Sequence, residues 1–181
     1  MELKKPETFE DLLDLQSEQD YRVDNFFSFR AKTEDDIIYA MKDEKQEWLK
    51  ELPYDLNFKF WKKKEYDRNK ELEEIVDILF FILQLANFKV YYKKRFKACF
   101  DNWDEGTYKN EFSDFSLRRV LVTDFELDMT MDQYRSDLMK DYNNLCRWRK
   151  FSKKEILEKY WEKWNYNMCK RGDWTPTEVK K

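Results

Sequence analysis

Two glycines and three prolines are all that interrupt 181 residues. A chain so poor in breakers lacks the turn residues that a sandwich or barrel needs at each strand end. It is instead rich in Glu, Lys, Leu and Asp, with aromatics at 18%, and such residues sustain long helices. The expectation is an all-α, multi-helix bundle forming one domain over residues 1–181, long enough to bury a real core. Residues 173–181 read as a loose tail.

Local signals divide the bundle into five or six helices. "TFEDLLDLQSEQDY" carries Leu12, Leu13 and Leu15 on a partial apolar face. Thr33 with Asp36 resembles a capping box for the next helix, which Pro53 ends or kinks. An aromatic and basic connector leads to "ELEEIVDILFFILQLAN" (71–87), the most apolar stretch. "FKVYYKKRFKACF" (88–100) reads as a helix with a basic face over an aromatic stripe, with phosphate contact as the alternative. A loop-rich crossing, "FDNWDEGTYKNEFSDFS", precedes one long or broken helix through Trp148. Ser152 with Glu155 caps a last helix, which Gly172 can close.

Charge and missing residue types narrow the chemistry. Thirty-five basic residues against 38 acidic ones leave a net charge of −3, unlike the positive excess expected of a nucleic-acid binder. No partner nucleic acid is therefore expected. Three cysteines at no metal-ligand spacing read as buried or incidental thiols of a reducing compartment. With no apolar signal core and no membrane-length apolar run, a soluble cytoplasmic protein is expected. Histidine is absent altogether, which removes His-based triads and His-ligated zinc.

Carboxylates remain. Residues three apart on a helix share a face, so Glu74 and Asp77 point together, and so do Glu44 and Glu47. Asp77 sits between Val76 and Ile78 in the apolar stretch, an unfavourable place for a charge unless something neutralises it. If the two helices pack together, four carboxylates converge, and an all-oxygen set suits Mg²⁺, or Mn²⁺ as a substitute. The alternative for Glu44 and Glu47 is a solvated surface pair, and for Asp77 a structural carboxylate, capping or ion-paired.

The order of segments resembles a known family. "EKQEW" (44–48), "FKFWKKK" (58–64) and "LEEIVDILFFILQLAN" (72–87) resemble the dimeric all-α dUTPases, within the all-α NTP pyrophosphohydrolase superfamily. "LLDLQSEQD" (12–20) is similar to that family's first helix. "YWEKWNYN" (160–167) with Lys170 and Arg171 resembles its C-terminal motif. The match covers about half the chain and leaves roughly 88–150 unaligned.

The resemblance implies a homodimer and hydrolysis of dUTP, with dUDP, to dUMP, water attacking the β-phosphorus. It implies that Glu44, Glu47, Glu74 and Asp77 hold two or more Mg²⁺ ions, with Glu44 or Glu47 activating the water and Glu44 preferred. Gln16, with Asp20 four residues on, would read the uracil edge, and Trp61 and Phe81 would wall the base. Lys62, Lys64, Lys163, Asn167, Lys170 and Arg171 would bind phosphate or sugar. Two departures stand out: Pro53 and a longer spacing precede Trp61, and Lys170 stands where the family commonly has Arg. The rival expectations are another nucleotide specificity, dCTP or house-cleaning, on the same scaffold, or a non-catalytic helical interaction protein.

Overall fold

A computed structural model describes residues 4–26, 30–57, 59, 61, 63–103 and 132–170. Among these residues the chain is helical with no strand: α1 Phe9–Phe26, α2 Glu34–Glu51, α3 Arg68–Phe88, α4 Val90–Asp101, α5 Asp132–Trp148 and α6 Lys153–Lys170. The expected all-α fold is what forms. No described helix is long and apolar enough to cross a membrane.

Helix starts follow local chemistry. The Thr33 hydroxyl accepts from the Asp36 backbone N–H while the Asp36 carboxylate accepts from that of Thr33, a complete capping box. Ser152 and Glu155 make the same reciprocal pair at α6. Thr8 and Asp11 repeat it at α1, which continues past Tyr21 to Phe26. Each such cap is worth about 1 kcal/mol, enough to set where a helix begins but not how helices pack.

Packing is organised around α3. Its buried positions, from Leu72 through Ile75, Val76, Leu79, Phe80 and Leu83 to Ala86, run almost round the helix, the mark of a central element. It packs against each of the other five helices, most extensively against α2. Every fully buried Leu or Ile there contributes about 1.5–3 kcal/mol by leaving water. A carboxylate on this helix is therefore delivered to the middle of the bundle.

The basic segment is a helix of its own. Lys89 is extended (φ −135°, ψ 126°) and separates α3 from α4. Tyr92, Phe96 and Phe100, spaced by four, are buried, while Lys93, Lys94 and Arg95 face outward. Lys97 pairs with Glu10 and Asp101, so this face is partly neutralised from within. Most of the expected loop-rich crossing, the first part of the long helix, Gly172 and the 173–181 tail lie outside the described residues.

The turn from α5 to α6 matters for the site. Phe151 N–H donates to Cys146 O (2.8 Å) and Lys150 N–H to Arg147 O (3.0 Å), a Schellman arrangement with Lys150 in the left-handed region (φ 58°). Glycine is the usual occupant, and a side chain there stores strain. Arg68 holds the turn: it donates to Lys150 O (3.0 Å), pairs with Glu155 (2.6 Å) and lies 4.3 Å from the Phe151 ring centre. The turn aims Arg149 at α3.

Candidate active site

The α2–α3 pair brings three carboxylates together. Glu44, Glu74 and Asp77 each offer an oxygen, and the three oxygens lie within 4.8 Å of one another. All are half-buried, so each loses hydration while facing like charge. Burial, with the Asp77 and Glu74 charges adding to it, pushes the Glu44 carboxyl up to about 7, against the pull of Lys163. Burial also raises Glu74, with Asp77 next in weight. Asp77 is raised by burial in spite of Lys163.

Carboxyls raised first by burial resist ionisation unless a cation stands beside them. A small divalent cation relieves that, and the donor set, oxygen without nitrogen or sulfur, fits Mg²⁺. Among the described residues this is the cluster with such geometry.

Glu47 does not join the other three here. It is exposed and turned to Lys50 at 2.5 Å, although its charge still raises both Glu44 and Glu74. An exposed pair of this kind contributes little, so the side chain is free to turn back. Lys163 fills part of the space instead. Its Nζ donates to Asp77 Oδ2 and to the Glu73 carbonyl oxygen (3.1 Å).

A second polar group lies on α1. Gln16 is fully buried. Its Nε2 donates to Asp20 Oδ1 (3.0 Å), and its Oε1 accepts from the Tyr160 hydroxyl (3.1 Å). Lys32 approaches Asp20 at 3.3 Å, and the Trp164 indole donates to Leu15 O at 2.8 Å. An ionised carboxylate only accepts, so Asp20 fixes which end of the Gln16 amide carries the donors. Tyr160 and Lys163 are three residues apart on α6, so one helix face joins the Gln16 amide to the acidic cluster. Phe80 stacks on Tyr160 with ring centres 4.3 Å apart.

The remaining expected site residues are scattered. Phe81 is half-buried against the core, but Trp61 is 69% exposed. Lys64 pairs with Glu51, whose charge reaches Glu74. Asn167 is half-buried one turn beyond Lys163, and Lys170 is exposed, 5.8 Å from the Tyr166 ring centre. Lys62 and Arg171 lie outside the described residues.

Sequence reasoning assigned no role to Tyr160, Lys32 or Glu71. Glu71 is fully buried one turn before Glu74 and is saturated with partners. Arg149 grips both its oxygens (2.5 and 3.0 Å), Tyr66 donates at 2.7 Å and the Trp48 indole at 3.3 Å. It ties α2, the connector before α3, α3 and the α5–α6 turn together beside the acidic cluster. No local pattern marks it, since its partners come from positions up to 78 residues away.

The family model of the dUTPases, the all-α type, matches residues 8–173. That span holds the α1 amide, the acidic cluster and the Tyr160 to Arg171 segment. No individual curated protein matches the chain.

Proposed function

We propose that this chain, which belongs to the dUTPase family and is a dUTP diphosphatase, does its chemistry with Mg²⁺ at Glu44, Glu74 and Asp77. Glu47 completes the set by leaving Lys50. The convergence of three carboxylate oxygens within 4.8 Å carries this reading. Bound Mg²⁺ supplies charge neutralisation for the phosphates and acidifies water.

The protein's own groups do the rest. Glu44, the α2 member of the cluster, facing Glu74 and Asp77, is the carboxylate that accepts the proton of the attacking water. Phosphoryl transfer needs positioning and charge neutralisation more than covalent help, so no histidine is required. Lys64, Lys163, Asn167 and Lys170, with Lys62 and Arg171, contact phosphate or sugar. Phe81 and Trp61 flank the base.

Gln16 reads the base. With one N–H given to Asp20 and one lone pair taken by Tyr160, its amide keeps one donor and one acceptor for the uracil edge. Cytosine presents the reverse pattern and leaves both unpaired, at about 1–3 kcal/mol each. The products are dUMP with pyrophosphate from dUTP, or dUMP with phosphate from dUDP. The working form is a homodimer.

Release of pyrophosphate or phosphate from dUTP, dUDP and dCTP, with and without Mg²⁺, tests the reading. Turnover of the uracil nucleotides that vanishes with chelator is expected. A preference for dCTP would overturn the role of Gln16, and turnover indifferent to metal would overturn the cation site. Sedimentation of the free protein at dimer mass is expected, and a monomer at assay concentration would contradict the assembly.

A further inference from the structure

Lys163 occupies the place of a cation. Its ammonium rests on Asp77 Oδ2 and the Glu73 carbonyl. It also opposes the raised carboxyls of all three cluster members. Lys159, one turn earlier on α6, is engaged with Glu73 and Glu162, away from the cluster. In this structure Lys163 offsets part of the burden on a half-buried group of three acids.

That position conflicts with a metal. A divalent ion on Asp77 and an ammonium on the same carboxylate are like charges a few ångströms apart in a poorly screened place. One must leave, and lysine is built to do so, with a point charge on a flexible four-carbon stem. The Glu73 carbonyl can keep one of its three donors while the stem swings, so departure does not strand the charge.

We propose that Lys163 is a displaceable counter-ion. It holds the acidic cluster closed in the metal-free protein, is expelled when a divalent cation binds, and is thereby handed to the phosphates of the incoming nucleotide. Metal loading and nucleotide binding are then coupled through one side chain, and linkage makes the coupling reciprocal. This rests on the reading of Glu44, Glu74 and Asp77 as the cation site, and adds that the site contains its own competitor.

Mn²⁺ binding without nucleotide, followed through the electron paramagnetic resonance signal of free Mn²⁺, tests the inference. Lys163→Met and Lys163→Gln remove the competing charge and should each bind Mn²⁺ about tenfold tighter than the parent protein, a modest part of what a like charge at this distance opposes. Lys163→Arg keeps the charge and should stay near the parent. A non-hydrolysable dUTP analogue should tighten Mn²⁺ binding to the parent and do so less for Lys163→Met. Thermal melts check that each variant is folded.

Equal or weaker Mn²⁺ binding by folded Lys163→Met and Lys163→Gln would overturn the counter-ion role. If that occurs while Glu74→Gln abolishes binding, the cation site stands and only the role of Lys163 falls. If Glu74→Gln binds Mn²⁺ like the parent, the cation site itself is misplaced.

Discussion

Two acidic sites lie one turn apart on α3, and they are opposites. Glu71 is wholly buried, yet Arg149, Tyr66 and Trp48 satisfy its carboxylate. Glu74 and Asp77, facing Glu44, are only half-buried, yet both carboxyls are raised: burial leads in each, the Asp77 charge adds to it at Glu74 and the Glu73 charge at Asp77, and Lys163 offsets only part. Depth alone does not mark a functional carboxylate. What marks it is the balance between the charges brought in and the partners supplied. The saturated site holds the helices together and the unsaturated one is left with capacity for a ligand.

Substitutions at the two sites should separate those roles. The largest effect is expected at the unsaturated one. Glu74→Gln should lower dUTP turnover by about a thousandfold or more, as losing key transition-state electrostatics does, while the helical circular dichroism stays unchanged. A variant that retains parental turnover would remove Glu74 from the site.

The saturated site should answer in stability instead. Arg149→Met leaves the Glu71 carboxylate without its charged partner, and breaking a buried pair costs about 3–5 kcal/mol. Urea unfolding should show that loss. A change under about 1 kcal/mol would mean that the contact is dispensable.

pH should distinguish them again. Glu44 titrates near 7 in the folded protein against an ordinary value of 4.5, so between those values the folded state binds more protons than the unfolded state. Without metal, this group therefore makes stability fall as pH rises from about 4.5 to 7, and Glu74 and Asp77 add to the same trend. Glu44→Gln should flatten the slope of the urea midpoint against pH. An unchanged or steeper slope would contradict the crowding of charge.

The smallest effect is expected on α1. Tyr160→Phe keeps the stack on Phe80 and removes the hydroxyl from Gln16 Oε1. The preference for dUTP over dCTP should drop about fivefold, the worth of roughly one hydrogen bond. An unaltered ratio of kcat/KM values would show that Asp20 alone orients the amide.

The same contrast explains what could be read from the sequence. Helix starts at Thr33 and Ser152, the break after α2 and the aromatic stripe of α4 are local matters of spacing and were legible. The Glu74 and Asp77 pairing was legible for the same reason, because one helical turn sets it. Nothing in "ELEE" sets Glu71 apart, since its burial depends on Arg149, Tyr66 and Trp48, which only the fold assembles. The turn of Glu47 toward Lys50, the Lys163 contact with Asp77 and the enclosure of Gln16 by Tyr160 are likewise settled by distant elements or rotamers. Trp61 carries no local signal that would announce its exposure.

The central claim is that α2 and α3 build a divalent-cation centre from Glu44, Glu74 and Asp77. Crystals grown with Mn²⁺ and a non-hydrolysable dUTP analogue would test it through the anomalous scattering of the metal. The expected map has a peak among these three carboxylates, with Lys163 withdrawn from Asp77. A nucleotide bound with manganese elsewhere, and Lys163 still on Asp77, would contradict it.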